Sequence, residues 1–277
     1  MRLYFLIHFV FSFFSSFSFS PHVNDRYTSP SSSILSVLRD RVRCNRVHSS
    51  TAELLYATLI ARGRYKEAAQ HMFDLADSLD GLHDPENVRD GTMLLRRTRA
   101  LLASMGSLQL VPEDQAILRR QRKNSNCRCV PIVMKNLRFD LAVASCRETL
   151  FRRRVANAKE AALLSPEACV SLAVNSEMYT LAFELASKFE DHDAMSCRVA
   201  HTLAQDCTSL SASSEDMEKC ESRWSLLRNL SDKSSSSVRK AIVNAILTSS
   251  HVVPVPHWLE GYFSGTSKIA ISLYPSI

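Results

Sequence analysis

Catalysis and metal binding both need several reactive side chains brought to one place, and four short groups in this 277-residue sequence have residue types suited to it. Cys127-Arg128-Cys129 offers two thiols to a soft metal, but no second cysteine pair and no nearby histidine completes a four-ligand zinc set. Asp191-His192-Asp193 offers two carboxylates and an imidazole. It falls between two helical segments with no further ligand and reads as a solvated loop. Glu113-Asp114, after Pro112, has the look of a carboxylate pair for proton transfer. An acidic first turn of a helix accounts for it at least as well, because the helix dipole favours negative charge there. Trp258 beside His257 is large enough to anchor a partner and reads as the aromatic that anchors the next helix. Phosphate loops, dinucleotide fingerprints, nucleophile elbows and the His-Glu-x-x-His zinc motif are all missing from the sequence. The reading is therefore not an enzyme. No catalytic, cofactor-binding or metal-binding residue is assigned, and no cofactor or small-molecule substrate is expected.

Positive charge gathers at Arg96, Arg97 and Arg99, at Arg119, Arg120, Arg122 and Lys123, and at Arg152 to Arg154, in a chain of net charge +6. Each run has the composition of a phosphate-contacting patch or a nuclear localisation signal. The reading adopted is solvated helix faces and loops, with nucleic acid not an expected partner. Eight cysteines form an even set, which invites a disulfide framework. Cys146, Cys169 and Cys220 instead fall on apolar helical stripes, where a free thiol behaves as a small hydrophobe. That implies a reduced, intracellular protein. Residues 1–20 point the other way: one arginine precedes a Leu, Phe and Ser run, with seven of the chain's 13 phenylalanines, that ends at Pro21. Two readings stand, a secretory signal or anchor, and translation through a pyrimidine-rich tract, since Phe, Ser and Leu codons are largely pyrimidine. An Asn-Leu-Ser sequon at Asn229 suits export as well. No stable membrane span is expected if the first twenty residues are an artefact.

The elements that would position any site are helical. Six glycines are about 2% of the chain against an average near 7%. Hairpin turns and phosphate-cradling loops both depend on glycine, so all-β and dinucleotide-binding folds lose their footing. Residues 21–48 form a Ser- and Pro-containing linker. Ser50 and Glu53 are spaced as a capping box that starts a helix, with Ala52, Leu55, Tyr56 and Leu59 inward and Gly63 closing it. The next stripe is Tyr65, Ala68, Ala69, Met72, Phe73, Ala76 and Leu79. Further stripes run through Leu94, Thr98, Leu101, Leu102 and Met105, and through Phe139, Ala142, Val143, Cys146 and Leu150. Ser165-Pro166-Glu167 has the cap, the proline and the acid of a helix start. Later stripes are Tyr179, Ala182, Phe183 and Ala186; Met195, Val199 and Leu203; Met217, Cys220, Trp224 and Leu227; and Val238, Ala241, Ile242, Ala245 and Ile246. Ser-rich stretches at 208–214 and 231–237 are expected to separate the last helices. Gly63-x-Tyr65-x-x-Ala68 and Met178-Tyr179-x-x-Ala182 share a grammar at a spacing of 114 residues, an aromatic opening the second helix and a small residue three positions on. Such pairs bury their apolar faces by stacking, which predicts an all-α fold, an irregular α-solenoid of helical hairpins, with an irregular bundle as the structural alternative.

Several stretches in order resemble the helical region of the 160-kilodalton nucleoporin family of the Y-shaped nuclear-pore subcomplex. Ala52 to Leu79, with its Leu-Leu-Tyr-Ala opening, Tyr65, Ala68 and Met72-Phe73, is the nearest to the family pattern. Ala100 to Leu118, Asp140 to Phe189 and the Val-Pro-Val-Pro-x-Trp-Leu element within Val252 to Phe263 follow it. The resemblance covers about three quarters of the chain. It implies a structural scaffold at the nuclear envelope, without enzyme activity, that supports mRNA export and protein transport through contacts with other nucleoporins. The family's amino-terminal β-propeller has no room here and residues 264–277 match nothing, so the solenoid is assigned to 49–263 and the chain is expected to be part of a longer product. Two other function classes are weighed: a secreted or membrane-anchored helical protein, which rests on residues 1–20, and a helical-repeat adaptor that captures peptides.

Overall fold

Helix forms wherever apolar residues recur at three- and four-residue steps. The computed structural model describes residues 37–40, 49–80, 91–120, 130–213, 217–232, 234–249 and 256–259, and the fold there is all-α apart from one short β-ribbon. The helices are α1 (Ser49–Ala61), α2 (Tyr65–Ser78), α3 (Thr92–Leu108), α4 (Met134–Arg152), α5 (Ala158–Leu163), α6 (Pro166–Asn175), α7 (Tyr179–Ala186), α8 (His192–Ser213), α9 (Met217–Asp232) and α10 (Ser236–Leu247). The ribbon pairs β1 (Leu118–Arg120) with β2 (Val130–Ile132). The chain divides into two compact units, Met1–His83 with Arg96–Leu137, and Asp84–Leu95 with Arg138–Ile277.

In the first unit α1 and α2 form a helical hairpin around Leu55, Leu59 and Ala68, with Leu38, Tyr56 and Ile60 packed against them. Ala68, Ala69 and Ala76 are all 0% exposed, and small side chains there let neighbouring backbones approach closely. Polar groups in these contacts are satisfied: Ser104 Oγ on α3 donates to the Ala69 carbonyl at 2.8 Å, and His71 Nε2 on α2 donates to the Ala52 carbonyl at 3.0 Å. The predicted cap residue Ser50 lies inside α1, which starts at Ser49, and so does not precede the helix.

The ribbon is an extended element within the 49–263 segment that the periodicity assigns to helices. Val130, Ile132 and Val133 are β-branched and favour extended backbone. Leu118 pairs with Ile132 and both are buried. The outer edge of β1 is closed by Gln70 on α2, whose amide donates to the Arg119 carbonyl and accepts from the Arg119 N–H, each at 2.8 Å. Arg119 therefore faces away from β2. Pro131 sits opposite it, and a proline facing outward on β2 removes the donor that an invading strand would need.

In the second unit α8 is central and packs against α6, α7, α9 and α10. Val199, Ala200, Leu203, Ala204 and Cys207 form its fully buried face, at a spacing only a helix brings to one side. The buried Arg147 on α4 donates to the Leu164 carbonyl from Nε at 3.1 Å and Nη2 at 2.5 Å, satisfying the end of α5. Phe139 and Phe189 meet edge to face at 5.2 Å. A side chain at Gly91 would overlap the Phe151 ring, which would have to move aside. Two stripe positions and one expected helix break need correction. Leu102 is 39% exposed and Met217 75% exposed, on the solvent sides of α3 and α9. The serine-rich stretch from 208 does not break the chain: α8 continues to Ser213, and Thr208 Oγ1 donates to the Gln205 carbonyl at 2.7 Å within the helix.

Candidate functional site

Among the described residues, a connected set of polar side chains lies in the second unit, where the α6–α7 hairpin meets α8 and α9. It begins with a backbone event. After α6 the Met178 N–H bonds the Ala173 carbonyl at 2.8 Å and the Glu177 N–H bonds the Val174 carbonyl at 2.9 Å, the paired closure that requires a left-handed residue between them. Glu177 is that residue, with φ of 61°. The turn projects its carboxylate toward α9. Lys219 Nζ lies 3.0 Å from Glu177, and the Arg223 guanidinium also pairs with it. Arg223 is buried, reaches Asp206 on α8 at 2.6 Å, and stacks 5.2 Å above the Tyr179 ring. The Tyr179 hydroxyl donates to the same Asp206 oxygen that Arg223 contacts. Five side chains thus tie two helices, α8 and α9, to the hairpin.

The electrostatics of this cluster favour fixation over catalysis. The Lys219 hydrogen bond, with help from Arg223, holds the Glu177 carboxyl below its ordinary range. Burial, then the Asp206 carboxylate, push the Tyr179 phenol upward, so it stays protonated and acts as a donor. Three thiols of the second unit are raised as well, whereas the hydrogen bond with Cys146 lowers Cys169. A hydrogen bond with Cys169 and burial raise the Cys146 thiol, and burial with the neighbouring Cys220 pushes Cys207 up to about 12. Burial, then Asp193 and Asp191, raise Cys197. A thiol held protonated is a poor nucleophile. Cys146, Cys169, Cys197, Cys207 and Cys220 are free.

Each motif singled out in the sequence has a local place. Asp191 precedes α8 and accepts from the Ala194 N–H at 3.3 Å, His192 opens the helix, and Asp193 accepts from Ser235 Oγ at 2.8 Å. The triplet is a helix start, not the loop that its spacing predicts. Glu113 and Asp114 form the acidic first turn of a short 3-10 helix, Glu113–Gln115. Trp258 packs on the core of the second unit beside the fully buried Leu259. Cys127 and Cys129 lie outside the described residues, as do Arg122, Lys123 and residues 1–20. The basic runs separate into individual contacts. Arg97 is buried and paired with Asp80 at 2.9 Å, Arg120 pairs with Asp77 at 3.0 Å and stacks over Phe73, and Arg152 reaches Glu148 at 2.6 Å. Arg154 takes φ of 58° in a closing turn after α4, where the Val155 N–H bonds the Leu150 carbonyl at 3.0 Å. Among the described residues no three His, Cys, Asp or Glu side chains converge on a metal site, and no helix is long and apolar enough to cross a membrane.

Sequence reasoning missed Glu177, Asp206, Lys219 and Arg223, because their partners lie far apart in the chain. Lys219 and Glu177 are separated by 42 positions and Arg223 and Asp206 by 17. Asn157 was missed too, although its signal is local: its side chain accepts from the Glu160 N–H and the Glu160 carboxylate accepts from the Asn157 N–H, and Asn followed three residues later by Glu is a helix-start pattern. No protein-family model and no curated protein matches this chain.

Proposed function

We propose that this chain works by holding other proteins, as a stacked-helix scaffold segment of the nuclear-pore outer ring, the class its sequence resembles. In that reading it is a non-enzymatic part of an irregular α-solenoid at the nuclear envelope, and it supports mRNA export and protein transport through contacts with other nucleoporins of the Y-shaped subcomplex. One observation carries the scaffold reading: the same helical-hairpin module recurs in both units. Gly63 and Glu177 occupy the same left-handed position, Arg64 and Met178 bond back to the carbonyls of Leu59 and Ala173, and Tyr65 and Tyr179 open the second helix. Ala68 and Ala182, three positions on, are both fully buried. Recurrent helix pairs of this kind are the building unit of solenoids, whose work is done by surfaces. The Cys207 thiol and the Tyr179 phenol, both raised by burial, support a fixed architecture at these two positions.

The test is to tag the chain at its own locus and follow both its position and its company. A signal at the nuclear rim, with nucleoporins of the Y-shaped subcomplex recovered in the purified complex, is the expected outcome. Recovery from the secretory pathway or the medium, or a rim-free distribution without nucleoporins, overturns the nuclear-pore reading.

A further inference from the structure

In the second unit α6, α8 and α10 enclose an open cleft of about 610 Å3. Its floor is apolar: Val174, Met195 and Ala241 are half-buried and still reach solvent. Its walls carry two exposed carboxamides, Asn175 from α6 and Asn244 from α10, and one exposed cation, Arg198 from α8. Arg198 makes no ion pair among the described residues. We propose that this cleft binds an extended segment of a partner protein, with apolar side chains alternating along it and an acidic residue facing Arg198.

The carboxamides decide for an extended occupant. An amide side chain offers one acceptor and two donors, which matches the N–H and C=O that a single residue of extended chain turns to one side. The same molecule already uses this chemistry, since Gln70 reads the N–H and C=O of Arg119 on the edge of β1 with two bonds of 2.8 Å. A helical occupant has its backbone groups satisfied internally and gives Asn175 and Asn244 nothing to read. The apolar floor accepts every second side chain of an extended segment. Arg198 adds charge complementarity for a carboxylate, and Glu167, which also lines the cleft from the first turn of α6, disfavours a segment that is acidic throughout. The inference does not depend on the nuclear-pore reading, because the cleft belongs to the chain whatever assembly holds it.

The full chain is titrated, by fluorescence anisotropy, into three labelled peptides of about nine residues with alternating Leu and Thr: one with a central Glu, one with a central Lys, and the Glu peptide N-methylated at alternate amides. The expected order is saturable micromolar binding of the Glu peptide, weaker binding of the Lys peptide, and loss on N-methylation. Asn175→Ala and Asn244→Ala each weaken the Glu peptide roughly tenfold, the equivalent of one net hydrogen-bond pair. Arg198→Glu reverses the preference between Glu and Lys. All three side chains are exposed, and circular dichroism of each variant checks that the fold is kept. Absence of binding below millimolar concentration, indifference to N-methylation, or unchanged affinity in both asparagine variants overturns the inference. An Arg198→Glu variant that leaves the preference unaltered overturns the acidic occupant. Nuclear-rim localisation without peptide binding sinks this inference alone, and peptide binding without rim localisation sinks only the nuclear-pore reading.

Discussion

The α1–α2 and α6–α7 hairpins close with the same turn and solve its cost differently. Both place a residue at positive φ, 69° for Gly63 and 61° for Glu177, and the residue that follows each has nearly the same backbone, φ −86° and ψ 57° for Arg64 and φ −89° and ψ 57° for Met178. Glycine adopts that conformation without a Cβ clash, whereas any other residue pays roughly 1 kcal/mol. Gly63 takes its turn by backbone fitness and carries no side chain, and the ion pairs beside it join Arg64 and Arg39 to Glu67 on α2. Glu177 accepts the strain and in return extends a carboxylate to Lys219 and Arg223, which tethers the turn to the next helix. The left-handed residue of the first turn makes no side-chain tie, and that of the second reaches a neighbouring helix.

Removing the tether should therefore harm one hairpin and spare the other. Arg223→Ala deletes the buried guanidinium that joins Asp206, Glu177 and the Tyr179 ring, and it leaves Asp206 hydrogen-bonded to Tyr179 with its charge uncompensated. Loss of one partner of a fully buried pair costs about 3–5 kcal/mol, and the partial exposure of Asp206 and Glu177 lowers the expectation to about 2–3 kcal/mol. Hydrogen exchange is the measurement. Amides of α6 and α7 should lose protection by that amount while those of α1 and α2 are unchanged. Equal loss in both hairpins, or none, contradicts the proposed division.

That division also marks what was readable in advance. The stripe from Ala68 to Ala76 predicted five positions that are all buried, because a helix converts local spacing directly into one face. Ser165-Pro166-Glu167 was legible for the same reason: Ser165 accepts from the Ala168 N–H at 3.1 Å, a bond between residues three apart. Gly63 announced its turn by its type. Glu177 and Arg154 did not, since their left-handed conformations follow from how the chain continues and not from their own preference. Leu102 and Met217 satisfied the apolar period and still face solvent, because periodicity says which residues share a face and not whether anything covers it. The ribbon was hidden by its length, with three residues in each strand. The cleft among α6, α8 and α10 was invisible for the reason the Arg223 cluster was: both exist only once distant helices pack.

The converse exchange in the first hairpin is smaller. Gly63→Glu imposes the positive-φ cost where the position is exposed and no tether of the Lys219–Arg223 kind exists, so the α1–α2 amides should lose about 1 kcal/mol of protection. An unaffected hairpin would show that the turn relaxes around the side chain. A further difference between the hairpins appears only in acid. Burial lowers the pKa of His71 from its ordinary 6.5, with Arg39 adding to the effect and the bond to the Ala52 carbonyl opposing it. The unfolded chain thus takes up a proton near pH 6.5 that the folded one refuses, and stability falls as pH drops from that value toward the lowered one. Thermal unfolding at pH 7.5 and 5.5 should show this loss in the wild type and a flatter response in His71→Gln. Equal responses would place the acid sensitivity elsewhere.

The smallest change is the most discriminating. Glu177→Gly relieves roughly 1 kcal/mol of backbone strain and gives up two partly exposed ion pairs worth about 0.5 kcal/mol each, so the net effect in low salt should lie within about 0.5 kcal/mol of zero. Salt then separates the terms. At about 1 M sodium chloride the pairs are screened and the strain is not, so the glycine variant should become the more stable protein by up to about 1 kcal/mol. Acid should act in the same direction, because the carboxylate whose pKa is lowered contributes above its ordinary 4.5 and ceases to contribute as pH falls through the lowered value. Glu177→Gln keeps the strain and loses the charge, and should be less stable than either protein in low salt near neutral pH and level with the wild type in high salt or acid. A glycine variant destabilised by more than about 1.5 kcal/mol, independent of salt, would mean that the carboxylate is a buried tie instead of an exposed one, and that the second hairpin depends on its neighbour far more than the 54% exposure of the Glu177 side chain implies.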